Sequence, residues 1–272
     1  MVRLQKMKGP APRCTMLAKH LLNRKGIETY ISTAEFNNVY NKLLTIDKDV
    51  ADFYLVLANT GLRLNECLGL AASHIFKGAP TEANLVKMLQ RFNLTSVVHI
   101  ILDSQPSSST EVRDKDKKVL RKPLKHRKKI EPKNNRIIPV SDMAAAKILA
   151  DRFNAQAANI KNKLYGDNRS QYLLFEGLHK NRVSSKLRKA YESLGLPPKS
   201  PHDCRHTYCT NLIAQTEGHH FLAKYVLGHT DIATTENYLH LWAVIQQKIR
   251  INRLRKRLNY SSLSSVSIVM DI

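Results

Sequence analysis

Apolar positions keep a helical rhythm over most of this chain and abandon it in one region. Phe36, Val39, Tyr40 and Leu43 share one face of a helix that Ser32 caps and Glu35, three residues on, reinforces, so a helix is expected to start over Ser32–Tyr40. Val50–Ala58 predicts a second, more buried helix, broken at Thr60 and Gly61, and Leu64–Leu70 a third. Between His74 and Val140 the period shortens. His74–Phe76, Ser96–Leu102 (SVVHIIL) and Arg136–Val140 (RIIPV) are short β-rich runs, with a helix over Thr81–Phe92 between the first two. Helical spacing returns over Ala144–Ala158, continuing to Leu164, and over Val183–Leu194, which Gly195 ends, with a short apolar segment at Tyr172–Phe175. The pattern predicts an α+β fold, mainly α, with a small antiparallel β-sheet.

The next two helices carry the chemistry. Ser200 is an N-cap, Pro201 occupies the first helical position and Asp203 completes a capping box, which puts His202 and Arg205 in the first turns. Free backbone N–H groups and the helix dipole favour an anion there, and a guanidinium with an imidazole makes a phosphate clamp. Cys209, Leu212, Ile213 and Thr216 bury the other face. His219–Leu227 reads as a short helix with Phe221, Leu222, Tyr225 and Val226 apolar, stopped by Gly228 as a left-handed C-cap. His229 leaves that cap, Thr230 or Asp231 caps a further turn, and Tyr238 follows nine residues after His229. Far upstream, Arg63 projects from a helix N-terminus as Arg205 does, with Glu66 one turn later to orient an arginine or hold the fold.

These blocks carry a resemblance. H-D-C-R-H (His202–His206) and L-G-H-T-D-I-A-T-T-E-N-Y (Leu227–Tyr238) look like the C-terminal signature of the tyrosine recombinase, or phage integrase, family, and T-G-L-R-L-N-E-C-L-G-L (Thr60–Leu70) resembles its first arginine motif. Two separated blocks in the right order are a stronger signal than a lone H-x-x-R. The resemblance covers roughly Ile31 to Trp242. It implies a catalytic domain over 31–242, preceded by a basic N-terminal arm or linker over 1–30 and followed by a basic helix and tail over 243–272. Members commonly carry a separate core-binding domain first. Thirty residues are too few to form it, so the protein is either naturally minimal or a fragment.

Composition then narrows the partner. The 272 residues, 43% hydrophobic, can bury a real core, while 44 Lys and Arg against 22 Asp and Glu give a net charge of +22 and imply a polyanion. No apolar run approaches the ~20 residues of a spanning helix, which favours nucleic acid over membrane. Cys14, Cys67, Cys204 and Cys209 stand at no disulfide-framework spacing and no secretory segment opens the chain, implying a cytoplasmic, nucleoid-associated protein, or one inside a host cell if viral. His202, Cys204, His206 and Cys209 crowd together, but Cys204 points away from the two histidines on a helix and no paired C-x-x-C is present, so no metal is expected. Charge concentrates in Glu111–Arg136, with twelve basic against four acidic residues, a net of +8, within a loop or insertion over 103–135. Such a run is usually a solvated face; Lys125, Arg127, Lys128, Lys129 and Arg136 are its candidate DNA contacts. By resemblance it leads into a hairpin whose lysine enters the minor groove. Lys133 in E-P-K-N-N-R-I-I-P is the best match, with Lys128 and Lys129 as alternatives because the spacing before Ile-Pro is short for the family.

A phenol is a weak nucleophile, with a pKa near ~10, and a phosphodiester repels anions. Arg63 and Arg205 are suited to hold the non-bridging oxygens, His202 to take or return the tyrosine proton, His229 to donate to a phosphate oxygen and Lys133 to protonate the leaving 5′ oxygen. By resemblance Tyr238 becomes the covalent nucleophile in a 3′-phosphotyrosyl bond, which conserves the bond energy and calls for no cofactor, ATP or metal. His206 has a structural role beside the site, and His240 either joins it or satisfies local hydrogen bonds. The implied function is site-specific recombination of double-stranded DNA by a homo-tetramer on two sites, a monomer or weak oligomer without DNA, with accessory DNA-bending proteins as further candidate partners. A type IB topoisomerase-like nicking-closing enzyme, a telomere resolvase and a non-catalytic accessory DNA-binding protein are the rivals. The apolar Ser265–Ile272 run either passes to a neighbouring protomer or closes the protein's own sheet.

Overall fold

The computed structural model describes residues 29–229 apart from Ala79, Thr95 and Asp114. The expectations for the N-terminal arm up to residue 28, for Tyr238 and His240, for the basic helix over Leu239–Leu258 and for Ser265–Ile272 lie outside the described residues.

Helix α1 (Thr33–Ile46) is capped as its sequence predicts, the Ser32 hydroxyl accepting from the Glu35 amide at 3.2 Å. Helix α2 (Lys48–Thr60) follows at once, because Asp47 both ends α1 and caps α2 by accepting from the Val50 amide at 3.3 Å. That shared residue extends both helices beyond the expected bounds. The core is built around α2: Phe53, Val56 and Leu57 are buried, and α2 packs on α1, α5 (Met143–Ala155), α7 (Lys180–Ser193) and α8 (Pro201–Gln215). Arg152 ties α5 to Asp49 and Asp52 of α2, and Arg182, on α7, is held by Asp47 at 3.0 Å. Gly61, in the left-handed conformation, ends α2 and releases the chain into α3 (Leu64–Leu68).

Strands β1 (Ile75–Lys77), β2 (Val98–Leu102) and β5 (Arg136–Val140) form an antiparallel sheet in the order β1-β2-β5, with Ile100 paired to both Ile75 and Ile138. The expected helix lies between β1 and β2 as α4 (Ala83–Arg91). The segment between β2 and β5 is more ordered than its charge suggests. Strands β3 (Ser104–Pro106) and β4 (Arg121–Pro123) pair antiparallel, with Val119 and Leu124 buried as apolar anchors. Arg121 donates to the Gly69 and Ser170 carbonyls at 3.0 and 2.6 Å, and Arg113 grips Glu176 while lying 3.9 Å over the Tyr165 ring. Buried anchors therefore extend to Leu124, and exposed residues run from Lys125 to Ile130.

The long helix expected over Ala144–Leu164 divides at Gln156 into α5 and α6 (Ala157–Lys161); the Gln156 amide turns inward to donate to the Leu173 carbonyl at 2.7 Å. Helix α8 starts with Ser200, Pro201 and Asp203 in their expected positions, and α9 (His220–Leu227) ends at left-handed Gly228. Among the described residues no helix is long and apolar enough to cross a membrane.

Candidate active site

Four segments distant in sequence meet at the C-terminal end of α9. Arg63 precedes α3 with an extended backbone; its amide donates to Glu66 Oε2 at 2.7 Å and its Nη1 to Oε1 at 2.9 Å. Arg136, the first residue of β5, grips the same carboxylate from the other side, Nη2 to Oε2 at 2.7 Å and Nη1 to Oε1 at 3.2 Å. Its Nη1 also donates to the Leu227 carbonyl at 2.9 Å. Arg205, in the second turn of α8, reaches that carbonyl with Nη2 at 2.7 Å and the Gly61 carbonyl with Nη1 at 2.6 Å. Leu227 is the last residue of α9, so its carbonyl lacks an intrahelical donor and lies at the negative end of the dipole. Two guanidiniums meet that need.

Electrostatics follow from this packing. Burial alone would push the Glu66 carboxyl up, but Arg136 and Arg63 more than offset it and hold it down at about 2. Glu66 is thus an anion embedded among three cations. His229, leaving the Gly228 turn, is lowered to about 3 by burial and by Arg205, Arg63 and Arg136. His206 is lowered to about 4 by burial and by His202, whose ring centroid lies 4.4 Å away in an edge-on contact. His202 is lowered by burial and by Arg205, with Arg63 and Lys125 also contributing. All three imidazoles are therefore neutral at pH 7 in the protein alone.

Beside this cluster opens a cleft of about 350 Å³ lined by Arg63, Lys125, Arg127, Arg136, Lys224 and His229 among others. Of the expected site residues, Arg63, Glu66, Arg205, His202, His206 and His229 come together. Tyr238 lies outside the described residues. Lys133 does not line the cleft; its side chain is 79% exposed and pairs with Glu131 at 2.8 Å. Lys128 and Lys129 are exposed and likewise do not line it, whereas Lys125 and Arg127 do. Arg136 differs from the exposed DNA contact expected of it: it is 5% exposed, with both terminal nitrogens engaged. The helical spacing puts Phe221 and Tyr225 among the apolar positions of α9. Both line the cleft, Phe221 is 61% exposed, and the Tyr225 hydroxyl donates to Glu82 at 2.5 Å. Their four-residue separation, with Lys224 between, was the available signal.

Among the described residues no group of three or more His, Cys, Asp or Glu side chains is placed to hold a metal. Cys67, Cys204 and Cys209 are free and buried, and burial pushes their thiols up.

Among solved structures the chain is similar to the Tn1549 transposon integrase in complex with transposon right end DNA, at 20% identity and TM-score 0.49, covering 78% of this chain and 61% of that one. It is also similar to XerA recombinase, at 17% identity and TM-score 0.44, over 80% of this chain and 62% of that one. For XerH site-specific recombinase bound to difH substrate the figures are 16% and 0.47, over 78% and 50%. This chain thus spans less than two thirds of each. No curated protein sequence matches it. The model of the phage integrase family matches residues 108–243, half of the chain, a span that contains Arg136, His202, Arg205, His229 and Tyr238. On that match the chain belongs to the phage integrase family.

Proposed function

We propose that the protein is a site-specific DNA recombinase that cuts and rejoins strands through a covalent bond between Tyr238 and a 3′ phosphate. The observation that carries this reading is the meeting of Arg63, Arg205 and three neutral histidines at one end of α9, beside a basic cleft. Arg63 and Arg205 bind the non-bridging oxygens of the scissile phosphate and stabilise the pentacoordinate transition state, where preorganised donors contribute most. Neutral His202 accepts the phenolic proton as the Tyr238 oxygen attacks phosphorus, and neutral His229 donates an N–H to a phosphate oxygen. The nine residues from His229 to Tyr238 span roughly 14 Å as helix and about 30 Å extended, so the phenol is within reach.

The proton for the departing 5′ oxygen comes from the basic segment. Lys125 is the better donor than Lys133, since it lines the cleft with Arg63 and His229 while Lys133 pairs outward with Glu131. Resealing reverses these steps with a second 5′ hydroxyl. The working form is a homo-tetramer on two duplexes inside a cell, with DNA-bending proteins assisting.

The test is covalent trapping on nicked duplexes drawn from the chain's own genomic neighbourhood, without metal or ATP. An adduct is expected, abolished in Tyr238→Phe and slowed roughly 10²–10³-fold in Arg205→Ala. Salt-sensitive binding with no adduct on any site would overturn the enzyme reading. Relaxation of supercoiled plasmid by the monomer, without site preference, would replace recombination by simple nicking and closing.

A further inference from the structure

We propose that Arg136 is a positioning residue and not a DNA contact: it locks Glu66, and through it Arg63, to the carbonyl that ends α9, so that Arg63, Arg205 and His229 are held as one unit. The proposal rests on the recombinase reading. It starts from where the donors go. Both terminal nitrogens of Arg136 are engaged by Glu66, and Nη1 is shared with the Leu227 carbonyl. A phosphate drawing on either terminal nitrogen would compete for it with a buried carboxylate, at the cost of leaving Glu66 short of a partner, and the remaining Nε–H is buried. Arg63 is arranged differently, with its Nη1 bonded to Glu66 and 19% of its side chain exposed at the cleft.

Shape gives the second argument. A Cβ on Gly228 would stand 2.8 Å from Arg136 Cδ and 3.0 Å from its Nη1, so the arginine lies flat against the left-handed turn from which His229 departs. Arg136 therefore touches the backbone that aims His229 and the carboxylate that aims Arg63, and its Leu227 acceptor is the one Arg205 uses. It also opens β5, immediately after the exposed basic segment, and so fixes where that segment re-enters the fold. A planar fork matches both oxygens of Glu66 while reaching the Leu227 carbonyl; a lysine ammonium is a compact charge without that bidentate geometry.

The experiment compares Arg136→Lys and Arg136→Gln with the unsubstituted protein in three readouts: the slope of log affinity against log salt for duplex DNA, the single-turnover rate of adduct formation at saturating DNA, and amide hydrogen exchange over residues 225–229. The slope is expected to stay unchanged, the saturated rate to fall roughly a hundredfold from misplaced groups, and exchange over 225–229 to quicken. A slope reduced by about one, with the saturated rate retained, makes Arg136 a phosphate contact and overturns the proposal; so does unchanged exchange. If the unsubstituted protein forms no adduct, the recombinase reading falls, and slope and exchange still decide Arg136. Should Arg136→Gln fail to fold with Glu66 left uncompensated, the pair Arg136→Gln with Glu66→Gln removes both charges and is read the same way.

Discussion

Basic side chains stand in two opposite settings in this molecule. Arg136 and Arg205 are 5% and 2% exposed, and their terminal nitrogens are bonded to a carboxylate and to backbone carbonyls. Lys125, Arg127, Lys128 and Lys129, only a few residues before Arg136, are exposed, and two of them face the cleft. The difference lies in the geometry of the demand. Several acceptors fixed in a dry interior select a rigid fork of donors, whereas a surface that meets a polyanion needs only charge on a solvated stem. Net charge therefore says little about which cation recognises DNA. Burial separates the cations fixed in the interior from those on the solvated rim, and what the fixed ones are bonded to separates them further: Arg136 is paired with a carboxylate, whereas the acceptors of Arg205 are backbone carbonyls.

The sharpest way to break this contrast is to remove the anion at the centre of the buried set. Glu66 is fully buried between Arg63 and Arg136, so Glu66→Ala is expected to cost about 3–5 kcal/mol, the range for truncating one partner of a buried ion pair. Denaturant unfolding measures it. A cost under about 1 kcal/mol would mean that the arginines are held by something other than this carboxylate.

Acid probes the same cluster more gently. The Glu66 carboxyl sits at about 2 against an ordinary 4.5, so its contribution to stability is full above about 4.5 and is lost as pH falls toward 2. His229 and His206, at about 3 and 4 against an ordinary 6.5, stay neutral in the fold while the unfolded chain takes up protons. Stability is thus expected to fall progressively below about pH 6.5, with the Glu66 part arriving last. A thermal midpoint that is flat between pH 7 and 5 would show that the imidazoles are not held neutral by burial and the neighbouring cations. Arg136→Gln removes the cation that lowers Glu66 most, so the Glu66 part of the loss should arrive at higher pH, while the His229 part should change only slightly, since burial and Arg205 act first there.

Much of the framework was legible in the sequence because it depends on local rules. Ser200, Pro201 and Asp203 start α8, Gly61 and Gly228 end helices in left-handed turns, and the apolar runs at Ser96–Leu102 and Arg136–Val140 pair as adjacent strands. The blocks containing Arg63, Arg205 and His229 could likewise be picked out in advance, and the fold brings those residues to one place. What stayed hidden was set by tertiary packing. Nothing local distinguishes Arg136 from Lys125, and both line the cleft, yet one is buried as the second cation on Glu66 and the other is exposed. The β3–β4 pairing was invisible because Arg121, in a run of charges, is satisfied by carbonyls 49 and 52 residues away. Phe221 reads as core by spacing, but stands exposed beside the cleft because Leu222, Val226 and Leu227 fill the buried side of α9.

The smallest expected effect on stability belongs to the exposed segment, and it tests the other half of the contrast. Alanine at Lys125, Arg127, Lys128 or Lys129 removes no buried contact, so each is expected to change unfolding free energy by no more than about 0.5 kcal/mol. Each residue that meets a phosphate should lower the salt slope of DNA binding by about one. The four should then part company in the saturated cleavage rate. Lys125 lines the cleft with Arg63 and His229 and contributes to the charge felt by His202, so Lys125→Ala should slow adduct formation even when every molecule is bound. Lys128→Ala and Lys129→Ala should act on affinity alone, as should Lys133→Ala, whose ammonium pairs with Glu131 away from the cleft lining. If Lys133→Ala carries the rate defect and Lys125→Ala does not, the segment must rearrange on DNA to bring Lys133 inward, breaking its pair with Glu131. Glu131→Gln would then raise the rate, whereas with Lys125 as the donor it should leave the rate unchanged.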